Sequence, residues 1–380
     1  MARVPRVLKL RSRPPAEPPM EPPPPPPPAA LPPAAAPRRR HSRRKPVALT
    51  VGAFLPLMIA GLVKTGATPQ PVTQPNPAAC TDTTRPTPAP SPVTVTATPA
   101  PGAAAPVAVV LPAPPGPGQL VSDMKDPAQC VARYQGIDLP RHRSDGVASA
   151  QRQVCRRGYM LSYNTETHDP DWVLERLTAG DLRGPAKRTN NFRPDPLLVG
   201  LDADKSDYIR TGCDRGHQAP AADAKFDPAV MDQSFVFSNM APQVGVGFNQ
   251  GAWRFLEDTV RGWVLCGGHP DLFVITGPIY DPTGKNRTIG ARRVAVPSYF
   301  YKIAYDRAAG RAVGFILPNA NIGSKIDDLR VYIRPISDIE AQTGLDFFAG
   351  QSFRDQSELE DHAGNAWGHA GNCTLPSDGG

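Results

Sequence analysis

The sequence predicts an α+β fold carried by its C-terminal two thirds, behind a long proline-rich tail. Three observations carry this. Of 48 prolines, 32 lie in the first 120 residues. Beyond residue 120 come several short apolar runs with strand character and only one clear helical stretch. These runs are separated by long connections rather than regular crossovers, which argues against a βαβ array.

The tail comes first. Residues 1–46 are basic and proline-rich, with seven prolines in a row at Pro22–Pro28. Such sequence cannot bury enough apolar surface to offset its ordering entropy, so disorder is expected. Val47–Val63 (VALTVGAFLPLMIAGLV) is an uncharged run of 17 residues between Arg43-Arg44-Lys45 and Lys64. At ~1.5 Å per residue it just reaches across a bilayer core, as a signal anchor or as the apolar region of a cleaved signal peptide. The basic cluster before it places the N-terminus on the cytoplasmic side and the rest of the chain on the periplasmic or extracellular side. Residues 64–119, rich in Pro, Thr and Ala, read as a linker. Residues 120–380 remain as one domain, within the usual size range.

Charge follows the same division. Residues 1–120 hold 13 Lys+Arg against 3 Asp+Glu, whereas residues 121–380 hold 29 against 32. The overall net charge of +7 therefore belongs to the tail, and the domain is no generally basic binder. Six cysteines without a CxxC spacing exclude a zinc ribbon and, in an exported chain, predict disulfides. Cys130 with Cys155 and Cys266 with Cys373 is the working pairing.

Within the domain, residues 119–158 read as an irregular lead-in. Tyr159–Tyr163 is a strand by alternation, and Asp171–Leu177 is a strand or a turn of helix. Arg188–Pro196 is a loop, and Phe235–Phe237 a short strand whose phenylalanines read most simply as core. Asn249–Trp263 has helical spacing. Leu272–Thr276 is a buried strand ended by Gly277-Pro278. Tyr299–Ala304 and Ala312–Leu317 are further strands. Ile326–Ile333 and Ile336–Gly344 are helical or mixed.

The chemistry concentrates in Cys213–Pro220, CDRGHQAP. By propensity this cluster suits neither a strand nor a helix interior, and Gly216 lets the backbone bend or something approach closely. Arg215 carries a fork of donors suited to phosphate. His217 titrates near neutrality and can take a proton from water. Phosphodiester chemistry needs a third element, a Lewis acid for the leaving oxygen, commonly a divalent cation. On a helix from Asn249, residues Asn249, Trp253, Glu257 and Arg261 share a face. The Asn249 amide oxygen is a hard ligand for Mg²⁺, and Glu257 can hold metal-bound water. Arg261 can pair with Glu257 or touch phosphate. Each residue also has an ordinary reading: Asn249 as an N-cap, Glu257 and Arg261 as an ion pair, Trp253 as core, His217 as a hydrogen-bonded loop residue.

DRGHQAP (214–220), Ser238–Gln243 (SNMAPQ) and Asn249–Trp253 (NQGAW) with Leu256-Glu257 resemble the DNA/RNA non-specific endonucleases, including Serratia-type nucleases and mitochondrial endonuclease G. Weaker matches extend over about 155–345. The resemblance implies a ββα-metal (His-Me finger) core inside a mainly antiparallel α+β domain. It implies His217 as general base and Asn249 as the direct ligand of a hydrated Mg²⁺, with Mn²⁺ able to substitute. It further implies Glu257 on the metal's water, Arg215 and Arg261 facing phosphate, and Asn239 near the site. An upstream arginine is also implied; Arg188 fits, with Arg193 as rival. Expected partners are DNA and RNA as substrates, the membrane through 47–63, and a second copy in a homodimer. The competing reading is a non-catalytic envelope-anchored nucleic-acid-binding protein that keeps the fold.

Overall fold

The computed structural model describes Cys80, residues 113–144, 149–323 and 328–349, Trp367 and Leu375. The proposed membrane segment 47–63 and most of the linker lie outside the described residues. In chain order the fold begins with β1 (Leu120–Ser122), α1 (Pro127–Arg133), β2 (Arg141–His142), β3 (Gln151–Cys155), β4 (Tyr159–Asn164) and β5 (Asp169–Thr178). It continues with α2 (Lys205–Tyr208), β6 (Cys213–His217), α3 (Pro228–Gln233), β7 (Met240–Val244), α4 (Arg254–Leu265) and β8 (Asp271–Ile279). It ends with β9 (Thr288–Ile289), β10 (Val294–Ala295), β11 (Tyr299–Asp306), β12 (Arg311–Pro318), β13 (Ile333–Arg334), α5 (Ile336–Thr343) and β14 (Leu345–Asp346).

Eight strands form one sheet in the order β1-β3-β4-β5-β8-β11-β12-β13. Every pairing in it is antiparallel except β1 with β3. The central strands are buried on both sides, and their period of two sorts residues between two cores. Phe273 and Ile275 of β8, with Tyr301, Ile303 and Tyr305 of β11, face Ile336 and Ile339 of α5. Leu272 and Val274, with Phe300 and Ala304, face α4. Helix α4 meets them with Leu256, Val260, Trp263 and Val264, spaced i, i+4, i+7 and i+8 along one stripe. The same alternation puts three polar residues, Glu175, Thr276 and Lys302, beneath that helix.

Four expectations need correcting. The lead-in 119–158 is not irregular: it contributes β1, α1, β2 and β3. Strand β8 runs through Gly277-Pro278 to Ile279, because β5 pairs only as far as Thr276 and Pro278 lies beyond that ladder. Phe235–Phe237 is not a strand; Val236 makes one bridge to Arg193, and a 3₁₀ turn begins at Phe237. CDRGH itself is strand β6, paired antiparallel with β7 from Cys213↔Val244 to His217↔Met240. The long-range partner strand overrides the weak local propensity.

Cys130 and Cys155 are bonded as expected, tying α1 to β3. Cys213 is bonded to Cys80, 133 residues away. Cys80 is buried in a cluster with Tyr208, Phe237 and Met240, and Arg287 donates to its carbonyl. Part of the linker is thus built into the domain. Cys266 is also disulfide-bonded, while Cys373 lies outside the described residues.

Candidate active site

Strand β6 points Cys213, Arg215 and His217 to one face and Asp214 and Gly216 to the other. Gly216 is no hinge; its space is needed because a Cβ there would come within 2.2 Å of the Gln243 side chain on β7. His217 sits between two aromatic rings, Phe235 at 4.9 Å and Phe192 at 5.7 Å between centroids, both edge-on. An arginine covers each ring: Arg188 lies 5.0 Å from the Phe235 centroid, and Arg215 lies 4.1 Å from that of Phe192. The imidazole is only 9 % exposed, and its Nε2 has no hydrogen-bond partner. Burial, reinforced by the positive fields of Arg188 and Arg215, lowers the His217 pKa to about 3. The ring is therefore neutral at physiological pH, with a nitrogen lone pair available to a proton.

Of the two upstream arginines, Arg188 is the one beside the imidazole. Arg193 is committed to Asp232, at 2.8 Å, and to the backbone of Asn191 and Asp232. Phe192 and Phe235 are both packing residues and walls of the site, a double role that a core reading of Phe235 did not capture.

Helix α4 begins at Arg254, not at Asn249. Gly245–Trp253 is an irregular, wide-turned segment with non-helical backbone at Val246, Gly247 and Gly251. Gly247 adopts φ +80°, and a Cβ there would run into the Asn321 side chain, so glycine is required twice over. Asn249 is accordingly no N-cap, and the shared helical face drawn from Asn249 to Arg261 does not apply. What orients Asn249 is Asp214: its Oδ2 accepts from Asn249 Nδ2 and from Gln250 Nε2, both at 2.8 Å. With its NH₂ bound, the Asn249 amide presents its oxygen in the opposite direction, and no described residue donates to that oxygen.

Glu257, in the first turn of α4, is half-buried and makes no hydrogen bond or ion pair among the described residues. Burial raises its pKa to about 7; nearby Lys302 and Arg261 oppose the shift. Arg261 does not pair with Glu257. It is 4 % exposed and spends its guanidinium on Asp223 at 2.9 Å and Asp258 at 2.7 Å. Asn239 is fully buried, bonding through both amide atoms to the backbone of Ala219 and also to Ser234. It fastens the loop after His217 to the start of β7.

Beneath Glu257 lies a charged layer the sequence reading missed. Lys302 is buried, donates to Thr276 Oγ1 at 2.6 Å and lies 5.0 Å from the Trp253 ring centroid. Glu175 is buried with Oε2 unpartnered. Only strand alternation, once β5 and β11 are known to be neighbours of β8, would have put these two side chains under α4.

Among the described residues no group of three or more His, Cys, Asp or Glu is placed to hold a metal ion. Two oxygen donors without a hydrogen-bond partner among the described residues are the Asn249 amide oxygen and the Glu257 carboxylate. Both are hard oxygen donors, a set that fits a largely hydrated Mg²⁺ rather than a dehydrated or thiophilic ion.

Residues 141–353 match the DNA/RNA non-specific endonuclease family. The chain belongs to that family. It is 39 % identical over 214 residues to a nuclease of Syncephalastrum racemosum, covering 51 % of this chain and 66 % of that protein. The mitochondrial nuclease of Saccharomyces cerevisiae is 36 % identical over 214 residues, with 50 % and 64 % covered. Nuclease C1 of Cunninghamella echinulata var. echinulata is 38 % identical over 207 residues, with 51 % and 81 % covered. The match thus spans just under two thirds of the first two relatives' length. Among solved structures, a complex of EndoG with EndoGI aligns with a TM-score of 0.48 and 34 % identity, over 53 % of this chain and 86 % of that one.

Proposed function

We propose that the chain is a sugar-non-specific endonuclease that hydrolyses phosphodiester bonds of DNA and RNA, with His217 as general base. The observation that carries this is the buried, neutral His217 with an unpartnered Nε2, walled by two arginine-capped rings. His217 Nε2 would take the proton from the attacking water. Arg215 and Arg188, on either side, would hold the phosphate oxygens; such contacts carry no base information, in keeping with indifference to sequence. Asn249 Oδ1 would hold Mg²⁺, or Mn²⁺ in its place, and Glu257 would hold its water. When bound, that cation supplies Lewis-acid stabilisation of the leaving 3′ oxygen. The products are then a 5′-phosphate and a 3′-hydroxyl. Arg261 and Asn239 serve as positioning residues in this reading, Arg261 bracing α4 and Asn239 bracing the His217 loop.

The disulfides fit an oxidising compartment, so an exported or membrane-tethered enzyme, with 47–63 as the tether, is kept as part of the proposal, as is a homodimer. The test is plasmid and RNA cleavage by the purified chain with Mg²⁺ and with EDTA, beside His217→Ala. Cleavage that needs the cation and falls ~10²–10⁴-fold in the variant is expected. Undiminished nicking by His217→Ala would refute the mechanism. Tight DNA binding without cleavage by the wild-type chain would favour the non-catalytic reading.

A further inference from the structure

A cavity of about 310 Å³ opens beside β6. Its lining includes Arg215, Asp214 and Cys213 of β6, together with Lys205, Ile209 and Arg210 from the segment that precedes the strand. We propose that this cavity is a subsite for a phosphodiester of the same substrate strand, flanking the one that His217 addresses. The inference rests on the endonuclease reading above and extends it from the scissile bond to the length of strand the enzyme grips.

The first argument is spacing. Arg215 is two residues before His217 on the same face of β6, a step of ~6.6 Å, and Cys213 is one equal step further. The cavity therefore continues the line His217–Arg215 away from the imidazole. The second argument is charge. Lys205 and Arg210 are exposed, and neither makes an ion pair or side-chain hydrogen bond among the described residues. The acids around them are engaged elsewhere. Asp204 and Asp207 bind Arg292, and Asp214 in the cavity wall accepts from the amides of Asn249 and Gln250. Two uncommitted cations plus Arg215 thus face one concave space, which is the condition for holding an anion. The third argument is shape. Tyr208, stacked on Phe237 at 5.5 Å, and Cys213, bonded to Cys80, give the cavity fixed walls. Ile209, 56 % exposed between the two cations, offers apolar surface to a sugar. The lining offers cations and apolar surface, which suit phosphate and sugar, so the subsite grips the backbone and adds no sequence preference.

The test compares wild type with Lys205→Ala/Arg210→Ala on two substrates. One is a single-stranded oligonucleotide long enough to fill the cavity; the other is a dinucleoside monophosphate, whose sole phosphate is the scissile one. The double variant should lose about tenfold in kcat/KM on the oligonucleotide, mostly through KM. Its plot of log affinity against log salt should be shallower by about 1–1.5, as ~0.7 per lost contact on single strands requires. Activity on the dinucleoside monophosphate should stay unchanged. An equal loss on both substrates, or no loss on the oligonucleotide, would overturn the subsite. If the wild-type chain cleaved neither substrate, the endonuclease reading would fail alone. Oligonucleotide binding by fluorescence anisotropy would still decide the subsite: a salt slope unchanged by the substitutions counts against it, and a shallower one supports it.

Discussion

Asp214 decides which end of the Asn249 carboxamide is free. A carboxylate can only accept, so it takes the NH₂ and leaves the oxygen unpartnered; in the proposed reaction that oxygen would hold the cation. Removing it lets the amide rotate and adds no competing ligand. Asp214→Ala should therefore raise the Mg²⁺ concentration that gives half-maximal cleavage by ~10–100-fold, the usual effect of losing a group that orients a ligand. Asp214→Asn, which keeps an acceptor oxygen, should recover part of the loss. A Mg²⁺ titration of nicking rate reads both, and an unchanged midpoint in Asp214→Ala would deny Asp214 this role. His217 yields a second expectation, about stability. Its folded pKa of about 3 lies below the ordinary histidine value, so its contribution is intact above ~6.5 and is lost as pH falls toward 3. Between those limits the unfolded chain binds a proton that the native ring refuses. At pH 4 the loss amounts to roughly 3 kcal/mol. His217→Asn should remove that loss and narrow the stability gap between pH 7 and pH 4 in urea unfolding. A gap as wide as in wild type would mean that the native imidazole accepts its proton readily.

At the level of elements, the sequence was most legible where period and partner agree. The alternation of Tyr159–Tyr163 and the apolar runs at Tyr299–Ala304 and Ala312–Leu317 fall on β4, β11 and β12. Legibility failed at β6, where Asp214, Arg215 and Gly216 argue against a strand. The ladder to β7, some twenty residues downstream, supplies the missing stabilisation. It failed again at Asn249, where a helical pattern is read through Gly251 although the backbone angles there are not helical. The family was readable because short motifs, DRGHQAP, SNMAPQ and NQGAW, carry it in fixed order. The roles of Asp214, Phe192, Glu175 and Lys302 depend on which strands and loops become neighbours, which no local window contains. Arg261 shows the difference plainly: its i,i+4 spacing from Glu257 predicts a pair, yet Asp223 from a distant 3₁₀ turn takes the guanidinium instead.

For the molecule as a whole, the Cys80–Cys213 bond changes what the proline-rich linker can do. A plain spacer would fall away once cut, and trimming near residue 120 would free the enzyme. Here Cys80 is bonded to Cys213, so everything before Cys80 is joined covalently to the first residue of β6. A protease cut between Cys80 and residue 113 should leave both pieces in one band on a non-reducing gel. Reductant should separate them, and if 47–63 is a membrane tether, the catalytic domain should leave the membrane only then. The closed loop of 133 residues also constrains the unfolded chain, by about 4–5 kcal/mol in the chain-entropy limit, with measured cases more often at 2–4. Cys80→Ser/Cys213→Ser should accordingly lower the thermal midpoint while leaving Arg215 and His217 on a strand still paired with β7. Release of the N-terminal piece without reductant would show that the bond does not hold the linker to the domain in solution.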